Sequence, residues 1–297
     1  MPGSEVEARP GPAGSAPDDA APVLIGVGHG SRDPRSAATV AAVMAAVAAA
    51  RPGKPVRAAF LDLNVPPVDR VLDAVAAAGQ HHAVVVPLLL GSAFHARVDL
   101  PGLLAAARQR HPLLRVDQAE VLGPDTRLVD ALADRVRETI APEPLGVARA
   151  PGPVLANAAL AWGAARATTA RRGPSRRSSV ADLGVIVAAV GASSAAANAR
   201  TRRVAEELAA RTGWRTEICF ATADPGVAVA RARLLTRGAR RLVVAPYFLA
   251  PGLLTDRIAA AAPDLGHAAA LGAHPALTEL IWDRYDAAVA QRHRRSA

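Results

Sequence analysis

Three side chains in this 297-residue chain combine types and positions suited to a divalent metal: His29, Asp62 and His95. Two neutral imidazoles and a carboxylate match a borderline divalent ion, and three protein ligands leave coordination positions open for a substrate. Cys219 is the only cysteine, which excludes intrachain disulfides, thiolate zinc sites and cysteine-held iron–sulfur clusters. A reducing compartment, the cytoplasm, is therefore expected. Taken singly, each residue has a plainer reading. A histidine in a Gly-His-Gly turn commonly bonds to backbone, and an acidic residue at a strand end commonly caps or is solvated. His95 is different, because it stands in the otherwise apolar run Gly91-Ser92-Ala93-Phe94-His95, which has little structural use for an imidazole. Ser31 lacks the flanking pattern of a nucleophile elbow and reads as a cap or a substrate contact.

What must bring these residues together is an alternation of short apolar runs with longer Ala-rich stretches, the pattern of a parallel sheet covered on both faces. Strands are predicted near residues 23–27, 56–61, 83–88 and 116–121, with helices over 35–50, 68–78, 100–110 and 126–139. Asp33 followed by Pro34 is a helix-start signal, Asp capping free amides and Pro preorganising the first turn. His29 then falls just after the first strand, Asp62 at the end of the second and His95 in the loop after the third. All three lie at carboxyl ends of strands, where the connections of a doubly wound sheet diverge and leave a binding crevice.

The second half repeats the plan, with strands predicted near 185–190, 216–220, 241–246 and 267–271. Gly28-His29-Gly30-Ser31 matches Val190-Gly191-Ala192-Ser193, Ala59-Phe60 matches Cys219-Phe220, and Val85-Val86-Pro87 matches Val244-Ala245-Pro246. Leu122-Gly123-Pro124-Asp125 likewise matches Leu271-Gly272-Ala273-His274. A duplicated α/β unit follows. On this matching, the second copy carries Gly191, Thr222 and Leu254 where the first has His29, Asp62 and His95, so a single site in the first half is expected. His81 and His82 read as a surface turn before a strand, and His111, His267, His274 and His293 lack partners at metal spacing.

The expected organisation is a disordered tail over 1–20, a first domain over 21–140, a Pro/Ala/Arg-rich linker over 141–182, a degenerate second domain over 183–292 and a basic tail over 293–297. A short helix within the linker, near 155–167, is also expected. The tail reads as no signal peptide, and no apolar run approaches the roughly 20 residues that span a bilayer. Net charge is +9, but the segment 141–180 holds six arginines against Glu143, and the C-terminus adds more. The excess left on the two halves is mild and suits an anionic small molecule as well as a polymer. A nucleic-acid reading based on the Arg-rich linker finds no recognition motif or aromatic-lined groove beside the charge.

Gly28-His29-Gly30-Ser31-Arg32 after a strand, followed by Pro87-Leu88-Leu89-Leu90 and His95-Ala96-Arg97-Val98-Asp99-Leu100-Pro101, resembles the sirohydrochlorin chelatases of the class II chelatase superfamily. The similarity spans about residues 22–138 and 184–290. It implies two tandem flavodoxin-like α/β units fused in one chain, the active half first. It implies that His29 and His95 bind the metal, and that an acidic residue at the second strand end contributes. The family usually has Glu where this chain has Asp62, whose shorter reach leaves both direct ligation and a proton-accepting or orienting role open. The implied reaction exchanges two pyrrole N–H protons for Fe2+, Co2+ or Ni2+, with the metal as substrate and no permanently bound cofactor. Ser31, Arg32, Gly91, Ser92, Arg97 and, from the second half, Arg257 are the candidate contacts for this carboxylate-rich tetrapyrrole. No nucleic acid or membrane partner is expected, and the protein is expected to be a monomer or weak homo-oligomer. The alternative is a non-catalytic protein that binds or delivers metal or tetrapyrrole.

Overall fold

β1 (Val23–Gly28) is buried at every position, and so is β5 (Leu183–Ala189). A strand hidden on both faces must be covered by helices on both sides, which a parallel sheet with crossover helices provides. β1 pairs with β2 (Val56–Phe60) on one side and β3 (His82–Pro87) on the other, and β3 pairs with β4 (Arg115–Gln118), all in parallel. The second sheet repeats this order with β6 (Arg215–Phe220), β5, β7 (Arg241–Pro246) and β8 (Gly266–His267). The computed structural model that shows this describes residues 21–91, 99–141 and 182–296, with side chains up to residue 291. The expected tails, most of the linker and its short helix lie outside the described residues.

Two elements are shorter than the sequence predicts. β4 ends at Gln118 and β8 at His267, because the amides of Leu122 and Leu271 bond to the carbonyls of Leu89 and Phe248, and the chain turns over the sheet edge. His82 is no surface turn residue. It opens β3 at 7% exposure, and its Nε2 lies 2.8 Å from Asp117 Oδ2, a partner that strand register supplies and sequence order hides.

The helices are α1 (Pro34–Ala50), α2 (Val68–Ala77), α3 (Asp99–Arg110), α4 (Thr126–Ile140), α5 (Ala195–Thr212), α6 (Val227–Thr236), α7 (Leu253–Ala261) and α8 (Pro275–Ser296). α1 begins as predicted: Asp33 accepts from the Arg35 amide, Pro34 takes the first turn, and Val40, Val43, Met44 and Val47 form one buried stripe. α2 and α3 cover the outer face of the first sheet, α6 and α7 that of the second.

Between the sheets the halves exchange their last helices. α8 packs on α1 and β3 of the first half, α4 packs on α5 and β7 of the second, and α4 and α8 pack on each other. Trp282 of α8 is 2% exposed and donates its indole N–H to the Val47 carbonyl, while Tyr285 donates to the Pro22 carbonyl. In the other direction, Arg135 of α4 donates to the Leu271 carbonyl and Arg211 of α5 pairs with Asp130. One hydrophobic core therefore draws on both halves.

Candidate functional site

The turn after β1 is built against the turn after β2. The amides of Leu61 and Asp62 donate to the carbonyls of Gly28 and His29, so the ladder continues past the strand ends and sets His29 beside Asp62. Gly30 has φ +98°, and a Cβ on it would lie 1.7 Å from the Asp62 carbonyl oxygen, so only glycine fits there. Asn64 completes the brace by accepting the Ser31 amide at 2.7 Å. Ser31 Oγ accepts the Asp33 amide, and Asp33 in turn caps α1. His29, Arg32 and Asp62 are all exposed at this edge.

The Asp62 carboxylate is partly committed. Its Oδ1 accepts the amide of Leu63, a residue at φ +61°, and the other oxygen takes part in no bond among the described residues. Gly91 is exposed, with open space where a side chain would stand. Ser92, His95 and Arg97 lie outside the described residues. Among the described residues no group of three or more His, Cys, Asp or Glu is gathered closely enough to hold a metal ion. Cys219 is buried, and burial pushes its thiol up to about 12, which removes a thiolate from contention at neutral pH.

The halves meet along this same edge. Arg35, in the first turn of α1, bonds both Asp33 and Asp256 of α7. Arg257, the next residue, reaches the Ala221 carbonyl at the end of β6, so the carboxyl edge of the second sheet adjoins that of the first. Comparison of the two turns corrects the repeat by one residue. Ala221 and Thr222 donate to Ala189 and Val190 as Leu61 and Asp62 donate to Gly28 and His29, and Gly191 has φ +89° as Gly30 has φ +98°. The counterpart of His29 is thus Val190, not Gly191. Thr222 remains the counterpart of Asp62 and spends its hydroxyl on the Val190 carbonyl, so neither position offers a strong metal ligand.

Asn64 and Asp256 were not among the candidates from sequence. Both act through backbone or across the halves, and no motif marks either of them.

The CbiX family model matches residues 23–139 and 184–288, well over half of the chain. The chain belongs to the CbiX family. Both halves match, so the duplication is one of CbiX-type units. Among curated relatives, the sirohydrochlorin ferrochelatase of Bacillus subtilis is 30% identical over 115 residues, 39% of this chain and 44% of that protein. The sirohydrochlorin cobaltochelatase of Priestia megaterium is 24% identical over 251 residues, 79% of this chain and 66% of that protein. The matches thus span less than half of the first relative and about two thirds of the second. The solved structure of SirB from Bacillus subtilis with Fe3+ shares the fold at a TM-score of 0.67 and 20% identity, over 91% of this chain and 96% of that one.

Proposed function

We propose that this CbiX-family protein is a metal chelatase that inserts Fe2+ or Co2+ into sirohydrochlorin and releases two protons. The observation that carries the reading is the brace that holds His29 and Asp62 side by side at the open carboxyl edge of the first sheet. Kinship with a sirohydrochlorin ferrochelatase and a sirohydrochlorin cobaltochelatase supports it. Depending on the metal, the product serves sirohaem or cobalamin synthesis.

In this reading the metal and the macrocycle are both substrates. His29 and His95 hold the ion, since an imidazole binds metal only in its neutral form and can accept a proton once the ion has left. Asp62 has one oxygen tied to the Leu63 amide, which fixes the carboxylate and leaves its other oxygen to orient a ligand or receive a pyrrole proton. Arg32, Arg97 and Arg257 bind the carboxylates of the ring, since a guanidinium fork matches a carboxylate bidentately. Ser31, Gly91 and Ser92 line the approach.

The test is spectroscopic. Metal-free sirohydrochlorin mixed with Fe2+ or Co2+ and the full chain converts to the metallated spectrum catalytically, at many turnovers per protein. Conversion that stops at one equivalent, or that matches the protein-free rate, favours the binding and delivery reading.

A further inference from the structure

At the edge of the second sheet opposite to the site, a cavity of about 410 Å³ is lined by Thr139, Arg231, Arg240, Arg241, Asp264 and Gly266, among others. Three guanidinium groups there face a single carboxylate, Asp264, and that carboxylate is taken by Arg231 at 2.7 Å. The side chains of Arg240 and Arg241 make no hydrogen bond or ion pair among the described residues. Away from the cavity, at the start of β6 and two strands from β7, Arg215 buries its Nη1 without a hydrogen-bond partner among the described residues.

The duplication shows what has changed at this spot. The first half has a smaller cavity of about 290 Å³ at its own amino edge, lined by His81, Arg110 and His111. There Asp73 pairs with both Arg110 and His111, and Asp117 pairs with both His82 and Arg115. His82 and Arg241 open β3 and β7 at equivalent places. Two residues on, Val84 registers with Asp117 in the first sheet and Val243 registers with Gly266 in the second. The second half thus has a permanent cation where the first has a histidine, and a glycine where the first has its counter-ion. Two residues before that counter-ion and that glycine, Arg115 of the first half corresponds to Asp264 of the second, and Arg231 takes that carboxylate, so the exchange opens space and leaves Arg240 and Arg241 with no other carboxylate lining the cavity. Unpaired arginines around a concave surface are the arrangement that captures carboxylate or phosphate by charge-assisted, often bidentate bonds.

We propose that this cavity binds a small multivalent oxyanion, a polycarboxylate or a phosphate ester, at a site separate from metal insertion. Titration calorimetry on the full chain with citrate and with pyrophosphate tests it, and whichever probe binds more tightly names the class. Saturable binding at one site per chain is expected. Gly266→Asp restores the missing counter-ion at a position where a Cβ meets nothing closer than 3.8 Å, so the variant folds and is expected to lose the binding. The double variant Arg240→Ser, Arg241→Ser is expected to weaken it by at least about tenfold, the worth of one charge-assisted bond. His29→Ala is expected to bind the anion as the parent does. Absence of saturable binding by either probe, undiminished binding by Gly266→Asp, or loss of binding in His29→Ala overturns the proposal.

Discussion

His29 owes its place to its neighbours. Its carbonyl accepts the Asp62 amide, Gly30 at φ +98° lets the two turns touch, and Asn64 pins the Ser31 amide. Gly30→Ala would put a Cβ 1.7 Å from the Asp62 carbonyl oxygen, in a backbone region that itself costs L-residues about 1–2 kcal/mol. The turns must then part. Loss of most metal-insertion activity is expected, with a fall in stability of about 1–3 kcal/mol, read by the insertion assay and by urea denaturation. That positions 29 and 62 lie side by side was legible in the sequence, because each closely follows a strand of one parallel sheet, although each residue alone also had a plain structural use. Asn64 was not legible: its work is a bond to a backbone amide 33 residues away, which leaves no periodic or compositional trace.

At the scale of elements, alternation of buried strands and amphipathic helices gave every described strand and helix its type and rough place. The shortness of β4 and β8 was hidden, since the apolar residues beyond them are buried by the turn over the sheet edge and read like strand. The exchange of α4 and α8 was hidden for another reason: periodicity says which face of a helix is buried, never against which sheet. Trp282 anchors the exchange, with its indole N–H on Val47 and the Arg51 guanidinium 4.4 Å from the ring centroid. Trp282→Ala is expected to cost about 3–5 kcal/mol of unfolding free energy by denaturant titration. Asp125, the cap of α4, meets Arg284 of α8 and so joins the exchanged pair. Burial pushes its carboxyl up, but the bonds from Arg127 and the charge of Arg284 outweigh burial and hold it below the usual carboxylate range. A group whose folded value is depressed stabilises fully above its unfolded value, about 3.9, and that contribution is lost as pH falls through the folded value. Asp125→Asn is therefore expected to be less stable than the parent at pH 7 and to lose less stability on acidification, as measured by denaturation at pH 7 and pH 3.

The whole molecule is two CbiX-type units that share one core, with each sheet covered in part by a helix from the other half. Residues 21–141 alone would expose part of the Val-rich stripe of α1 and the Leu- and Val-rich face of α4. That fragment is expected to self-associate, most simply as a dimer that exchanges α4 between copies, in light scattering after gel filtration. A stable monomer at micromolar concentration would show that the second half is dispensable for folding. The central claim concerns chemistry at the carboxyl edge of the first sheet, and one experiment addresses it most directly. The full chain and its His95→Ala variant are compared for conversion of sirohydrochlorin in the presence of Fe2+ or Co2+, with circular dichroism and thermal melting to confirm that both are folded. Loss of conversion in the folded variant is the predicted result. Turnover by His95→Ala at the parent's rate would contradict the assignment.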